Sequence, residues 1–219
     1  MGTVIGDLLP LAVGVAISPI PVVAAILMIL SKNASAAAGG FAVGWTAGIA
    51  LATAVFALLA GVIGLSSDTE PGAAVSWIKI VLGLLLLGVA VAQWRHRADT
   101  AEPGWMRGID RITAAKAVAL GAALAAVNPK NLLLCVSAGV VVGTSGLGVG
   151  TQIVAVVVFT VIAAASVLGV VIGYAVAADR LRGGLDRARV WLEANNHLVM
   201  ATVLLVMGSV VLGKGIGGL

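Results

Sequence analysis

The nine residues "VNPKNLLLC" (127–135) stand inside a long apolar run, with two amides, a proline and a lysine where a membrane-spanning helix would have its middle. In hydrocarbon the amides and the ammonium need partners, and the proline withholds a backbone N–H. Such a cluster marks a break in the helix, a functional site, or both. The surroundings make the membrane reading firm. Hydrophobic residues fill 61% of the 219 positions and charged residues only 10%, against roughly 25% charged in soluble domains. Mean hydropathy is +1.16, so no segment is polar enough to be a separate soluble domain. Residues 1–219 read as a single, all-α transmembrane domain. The first run, Val4 to Leu30, has no Lys or Arg before it and is too long for a signal-peptide core, so it reads as a retained span.

Crossing a core of about 30 Å takes about 20 residues of helix. Six runs qualify, at 4–30, 37–64, 74–94, 113–143, 149–178 and 197–217. Turn-forming polar segments separate them, among them "SKNAS" (31–35), "SSDTEPG" (66–72) and "GTSG" (143–146). The segment 179–196 is read either as a solvated loop or as a short interfacial helix, since Leu185, Ala188 and Leu192 share a helical face. With six spans, the loops 31–36, 95–112 and 179–196 fall on one side. Together with Lys116, they carry ten of the 13 basic residues. The other side has Lys79 and Lys214, and Lys130 stays within a span. The positive-inside rule then makes those three loops cytoplasmic and both termini extracytoplasmic. The net charge of +4 is a topology signal, and nucleic acid is not an expected partner. The lone cysteine, Cys135, excludes an internal disulfide and a cysteine-based metal site.

The second half echoes the first. "AISPIPVVAAILMILS" (16–31) pairs with "AVNPKNLLLCVSAG" (126–139), and "LLLLGVAV" (84–91) pairs with "LLVMGSVV" (204–211), setting Gly88 on Gly208. Three spans per half make this an inverted repeat, one copy at about 4–94 and the other at about 113–217, joined by loop 95–112. Inverted repeats are typical of transporters, whose sites lie at the midplane between the halves.

Ser18-Pro19 and Asn128-Pro129 share a local logic. Ser and Asn are strong helix N-caps, and proline suits the first helical turn, where its missing N–H has no partner anyway. Pro21 fits the same turn. Ser18 lies ten residues from Leu8 and twelve from Leu30, about 15 and 18 Å of helix, which puts the break near mid-membrane. The expectation is that helices 1 and 4 are broken at proline and that two positive half-helix ends converge. Lys130 adds a full charge there, and Asn131 is a polar neighbour at the same break. Ser18, Pro19, Pro21, Asn128, Pro129, Lys130 and Asn131 would then form a transport site for a carboxylate, sulfate or phosphate group. The plainer readings are prolines that only kink their helices and a lysine that snorkels. Against snorkelling, Lys130 lies 14 residues from Lys116, about 21 Å along a helix.

Other signals are weaker. The GxxxG pairs Gly44/Gly48, Gly139/Gly143 and Gly169/Gly173 mark close helix packing at most. Trp45 and Thr46 face either a cavity or the core, and His96 and His197 read as solvated. No Asp or Glu lies deep in a span, so neither a catalytic constellation nor a carboxylate proton relay is visible. No enzyme activity, cofactor or metal is expected.

"SPIP" (18–21) and "NPK" (128–130), with the six-span plan, resemble the LysE exporter superfamily across nearly the whole chain. "ISPIPVVAAILMILS" followed by "AGGFAVGWTAG" (38–48) looks most like the actinobacterial Gap/Sap group, whose members are associated with bringing glycopeptidolipids or sulfolipids to the mycobacterial surface. The resemblance implies a plasma-membrane exporter of cell-envelope lipids or their precursors, with an anionic or amphipathic small molecule or lipid as substrate. It also places Ser18, Pro19, Pro21, Asn128, Pro129 and Lys130 at the functional positions. "SPIP" departs from the amino-acid exporters, which usually carry glycine between the prolines. A related fold moves electrons through paired cysteines in these helices, and Cys135 alone does not supply that pair. Two alternatives stay open: an exporter of amino acids or small ions, and a non-transporting scaffold for lipid-export machinery. The bilayer is a partner in each, and a homo-oligomer is compatible with all three.

Overall fold

The computed structural model describes residues 1–31, 33–62, 73–97, 109 and 112–219. Lys32, the connection 66–72 and most of loop 95–112, with Trp105, Arg107 and Arg111, lie outside the described residues. Among the described residues the chain is helical, without strands. In order come α1 (Gly2–Ala16), α2 (Pro19–Leu30), α3 (Ala34–Val62), α4 (Ala73–Arg95), α5 (Ala114–Ala126) and α6 (Pro129–Gly143). A final helical run is divided where Ala177 leaves helical geometry (φ −142°, ψ 47°), giving α7 (Val149–Ala177) and α8 (Arg180–Ile216).

Four of these, α3, α4, α7 and α8, are long and apolar enough to cross a membrane. The pairs α1–α2 and α5–α6 meet at bends of 51° and 67°, and they raise the total to six if each pair is one span. Pro19 and Pro129 begin the second member of each pair, so both bends fall where the missing N–H and fixed φ of proline start a helix afresh. The outer surface is apolar. Leu51 and Leu58 are each 67% exposed, which suits hydrocarbon and not water. The protein is therefore a multi-pass membrane protein.

The segment 179–196 needs correction. It is neither a loop nor a short separate helix, because α8 runs unbroken from Arg180 to Ile216. Leu, Arg, Ala and Glu are good helix formers there, and no proline interrupts them. Arg189 bonds Glu193 at 2.8 Å across one turn, and Gly183-Gly184 is too weak a breaker to stop the helix. At about 1.5 Å per residue, its 37 residues exceed a membrane core of about 30 Å, so the basic first half extends beyond the apolar span.

Glycines set the closest approaches. A Cβ on Gly44 would fall on the Val118 carbonyl, and one on Gly121 on the Phe41 carbonyl, so α3 and α5 touch backbone to backbone. Gly139 meets the Thr53 carbonyl and Phe56, and Gly143 meets the Ala57 carbonyl. Thus α3 runs parallel to the broken pair, along α5 first and α6 afterwards. Gly169 has nothing within 4 Å and Gly173 only the tip of Leu181, so the third GxxxG pair does not bring two helix backbones together. Helices α4 and α8 pack antiparallel through Gly83 on Leu212, Gly208 on Leu87 and Gly215 on Ile80. Gly88, the sequence counterpart of Gly208, faces open space. His197, expected to be solvated, instead pairs its Nδ1 with Gln93 Oε1 at 2.7 Å across the α4–α8 contact.

Gly44→Ala should lower the thermal stability of the detergent-solubilised protein by an equivalent of about 1–3 kcal/mol, the usual cost of overpacking. Gly169→Ala should change it by less than about 0.5 kcal/mol, as expected for a site with no neighbours. Equal losses at both positions would contradict the α3–α5 contact.

Candidate functional site

The two breaks are built alike but capped differently. After α1, Ile17 turns out of the helix (φ −81°, ψ 49°) and Ser18 is extended (φ −103°, ψ 107°). After α5, Asn128 is extended (φ −65°, ψ 118°), and its Oδ1 accepts the Lys130 backbone N–H at 3.1 Å. That is an ordinary N-cap. Ser18 occupies the N-cap position of α2, yet its side chain makes no capping bond. The prolines give the reason. Pro19 and Pro21 carry no N–H, so the first turn of α2 has few orphan donors to satisfy. The Ser18 hydroxyl is left to donate to Asn131 Oδ1, at 3.4 Å.

Helix α6 crosses α1 antiparallel, with Leu134 beside Gly14, Lys130 beside Ile17 and Asn131 beside Ser18. The crossing brings the two breaks together. Lys130 Nζ donates to the Ile17 carbonyl at 3.1 Å, and Asn131 Nδ2 donates to the Leu124 carbonyl, in the last turn of α5, at 3.2 Å. Each cut helix therefore has its carbonyl end held by a side chain of α6. Lys130 does this for α1 and Asn131 for α5. The ammonium has three donors and, among the described residues, one acceptor and no carboxylate. Its charge rests against the negative end of the α1 dipole.

Of the seven residues singled out by sequence, Ser18, Lys130 and Asn131 form one connected group, none more than 1% exposed. Pro19 and Pro21 are buried beside it. Asn128 is half-buried and reaches only the Lys130 backbone, while Pro129 faces outward. The arrangement differs from two positive ends facing an open site: the cation already has a partner, and that partner is a helix C-terminus. Ile17 escapes sequence reading because it contributes a backbone oxygen. Elsewhere in the bundle, the Thr160 hydroxyl, Trp45 Nε1 and Thr46 Oγ1 are buried without hydrogen-bond partners. A threonine in an apolar helix gives little warning, since its hydroxyl often turns back to its own backbone.

The spaces on the two sides of this group differ in size. A groove of about 310 Å³, lined by Ile17, Trp191, Leu198, Val199, Thr202 and Val203, arrives at the break from the end bearing the basic half of α8. Toward the opposite end, a seam of about 20 Å³ lies between α1, α6 and α8, with Lys79 of α4 also on its wall.

Asn131→Ala should cost about 2 kcal/mol of stability, because it strips partners from Ser18 and from the Leu124 carbonyl together. Ser18→Ala should cost less than about 1 kcal/mol, its single bond being long. Thermal unfolding of purified variants checks the order, and the reverse order would contradict this network.

No curated protein and no solved structure matches the chain significantly. A family model does, over residues 8–217, so its match takes in both breaks and every helix of the bundle. The chain belongs to the family described as Sap, sulfolipid-1-addressing protein.

Proposed function

We propose that the chain is a non-enzymatic plasma-membrane exporter that delivers an anionic or amphipathic cell-envelope lipid, or a precursor of one, toward the cell surface. In this reading it has six spans in two inverted halves, with both termini outside and the basic half of α8 in the cytoplasm. Cargo passes the midplane where the two broken spans cross. The observation that carries the reading is the Lys130 ammonium, 1% exposed, bonded to the cut end of α1 instead of to a carboxylate. A buried cation with spare donors and no counter-ion is what an anionic headgroup would complete. The family description contains a sulfolipid, a lipid of the charge that such a cation would hold, which supports the reading. The antiparallel crossing of α1 and α6 and the parallel course of α3 beside α5 and α6 both fit alternating spans. Six spans cannot enclose a large glycolipid. Its chains would stay in the bilayer, or between two copies of the protein, while the charged head crosses.

The Lys130–Ile17 bond favours a second reading as well, in which the lysine only caps α1 and the protein is a scaffold for lipid-export machinery. Lys130→Met separates the two, since it keeps the volume and removes the charge. Surface lipid is measured in cells expressing the variant, alongside the amount of folded protein. The exporter reading predicts a loss of about tenfold or more per folded molecule, in line with removing a charged partner in a buried site. Unchanged delivery per molecule, with lower stability alone, would leave Lys130 as a cap and overturn the site.

A further inference from the structure

Beyond the midplane group, α1, α6 and α8 continue together toward the end of the bundle that carries both termini. Three layers can be followed outward. In the first, Leu134 and Met207 close over Gly14, where an added Cβ would lie 3.2 and 3.0 Å from them. In the second, Leu11, Ser137, Val210 and Val211 line the seam of about 20 Å³. That volume holds about one water and no headgroup. In the third, Lys214 Nζ meets Asp7 Oδ1 at 2.6 Å and ties α8 to α1 across the top of the seam. Above the pair lies an open mouth of about 340 Å³, which Ser76, Lys79, Gly217 and Gly218 also line. On the opposite side, the groove of about 310 Å³ is lined by Ile17, the residue whose carbonyl holds Lys130.

We propose that the seam between α1, α6 and α8 is the extracytoplasmic exit path and that the Asp7–Lys214 pair is its outer gate, shut in this structure. The proposal rests on the transport reading above and adds a direction to it, with the molecule closed outward and approachable from the cytoplasmic side. The gate has a reversible construction. Side chains 42% and 35% exposed make an ion pair weak enough to part in every cycle. The innermost layer is a flexible methionine and a leucine resting on a glycine, so rotamer changes can clear it without moving backbone. Lys79 shares the mouth and can take up Asp7 if Lys214 is lost, so the two partners are not equivalent.

Cys135 is the chain's one cysteine, so Cys135→Ala followed by Ser137→Cys gives a single thiol in the seam. Intact cells are treated with a membrane-impermeant maleimide, and Gly2→Cys serves as an always-accessible control. Labelling of Cys at 137 should be slow with the pair intact. It should rise about fivefold on Asp7→Asn, the scale set by losing a partly exposed pair, and less on Lys214→Gln. The exchange Asp7→Lys with Lys214→Asp should restore slow labelling, which guards against a single variant that merely misfolds. Labelling unaffected by Asp7→Asn, or left fast by the exchange, would overturn the gate. Surface lipid measured on the same cells reports separately on transport: gated labelling with unchanged lipid delivery would count against the exporter reading and not against the gate.

Discussion

The Lys130 ammonium donates to the Ile17 carbonyl at 3.1 Å inside an apolar bundle, and the Asn131 amide donates to the Leu124 carbonyl at 3.2 Å one residue further on. Cutting two helices in an apolar bundle leaves carbonyl ends without intrahelical partners, each costing several kcal/mol if unpaired away from water. Consecutive side chains of α6 remove both penalties. They reach their targets because α6 is fixed from behind, where Gly139 and Gly143 let it lie directly on the α3 backbone. The glycine contacts, the two breaks and the buried lysine are parts of one solution, since loosening the α3–α6 contact would draw Lys130 away from Ile17.

That solution also sets what the site can do. A lysine paired with a carboxylate would be neutral and inert toward anions. Paired with one carbonyl, it keeps two of its donors. The prolines of α2 contribute by subtraction, because they leave few N–H groups to compete and free Ser18 to join Asn131. The inferred path is asymmetric about this point, with a broad groove on one side and a plug, a seam and an ion pair on the other.

Much of this was legible in the sequence. The apolar runs, the Ser-Pro and Asn-Pro breaks and the cost of placing Lys130 among them follow from hydrophobic period, cap chemistry and desolvation alone. The partner of Lys130 was not legible, because Ile17 offers a backbone oxygen and any residue would supply the same atom. Ser18 was misjudged as a side-chain cap because cap preference is a statement about average helices, and this one begins with two residues that need no cap. The polar segment 179–196 was misread because hydropathy reports where a helix can sit in lipid, not where it ends. His197 found Gln93 only through the α4–α8 contact, which no local pattern encodes.

The two breaks touch, and under the export proposal their junction opens for cargo to pass. Ser18 Oγ and Asn131 Oδ1 stand 3.4 Å apart, so cysteines placed at 18 and 131 in a Cys135→Ala background can be joined by mild oxidation or a short thiol cross-linker. The cross-link should form in membranes, lipid delivery should stop while it holds, and reduction should return delivery to the rate before cross-linking. Cysteines that never join, or a joined protein that delivers lipid at the uncross-linked rate, would contradict this account.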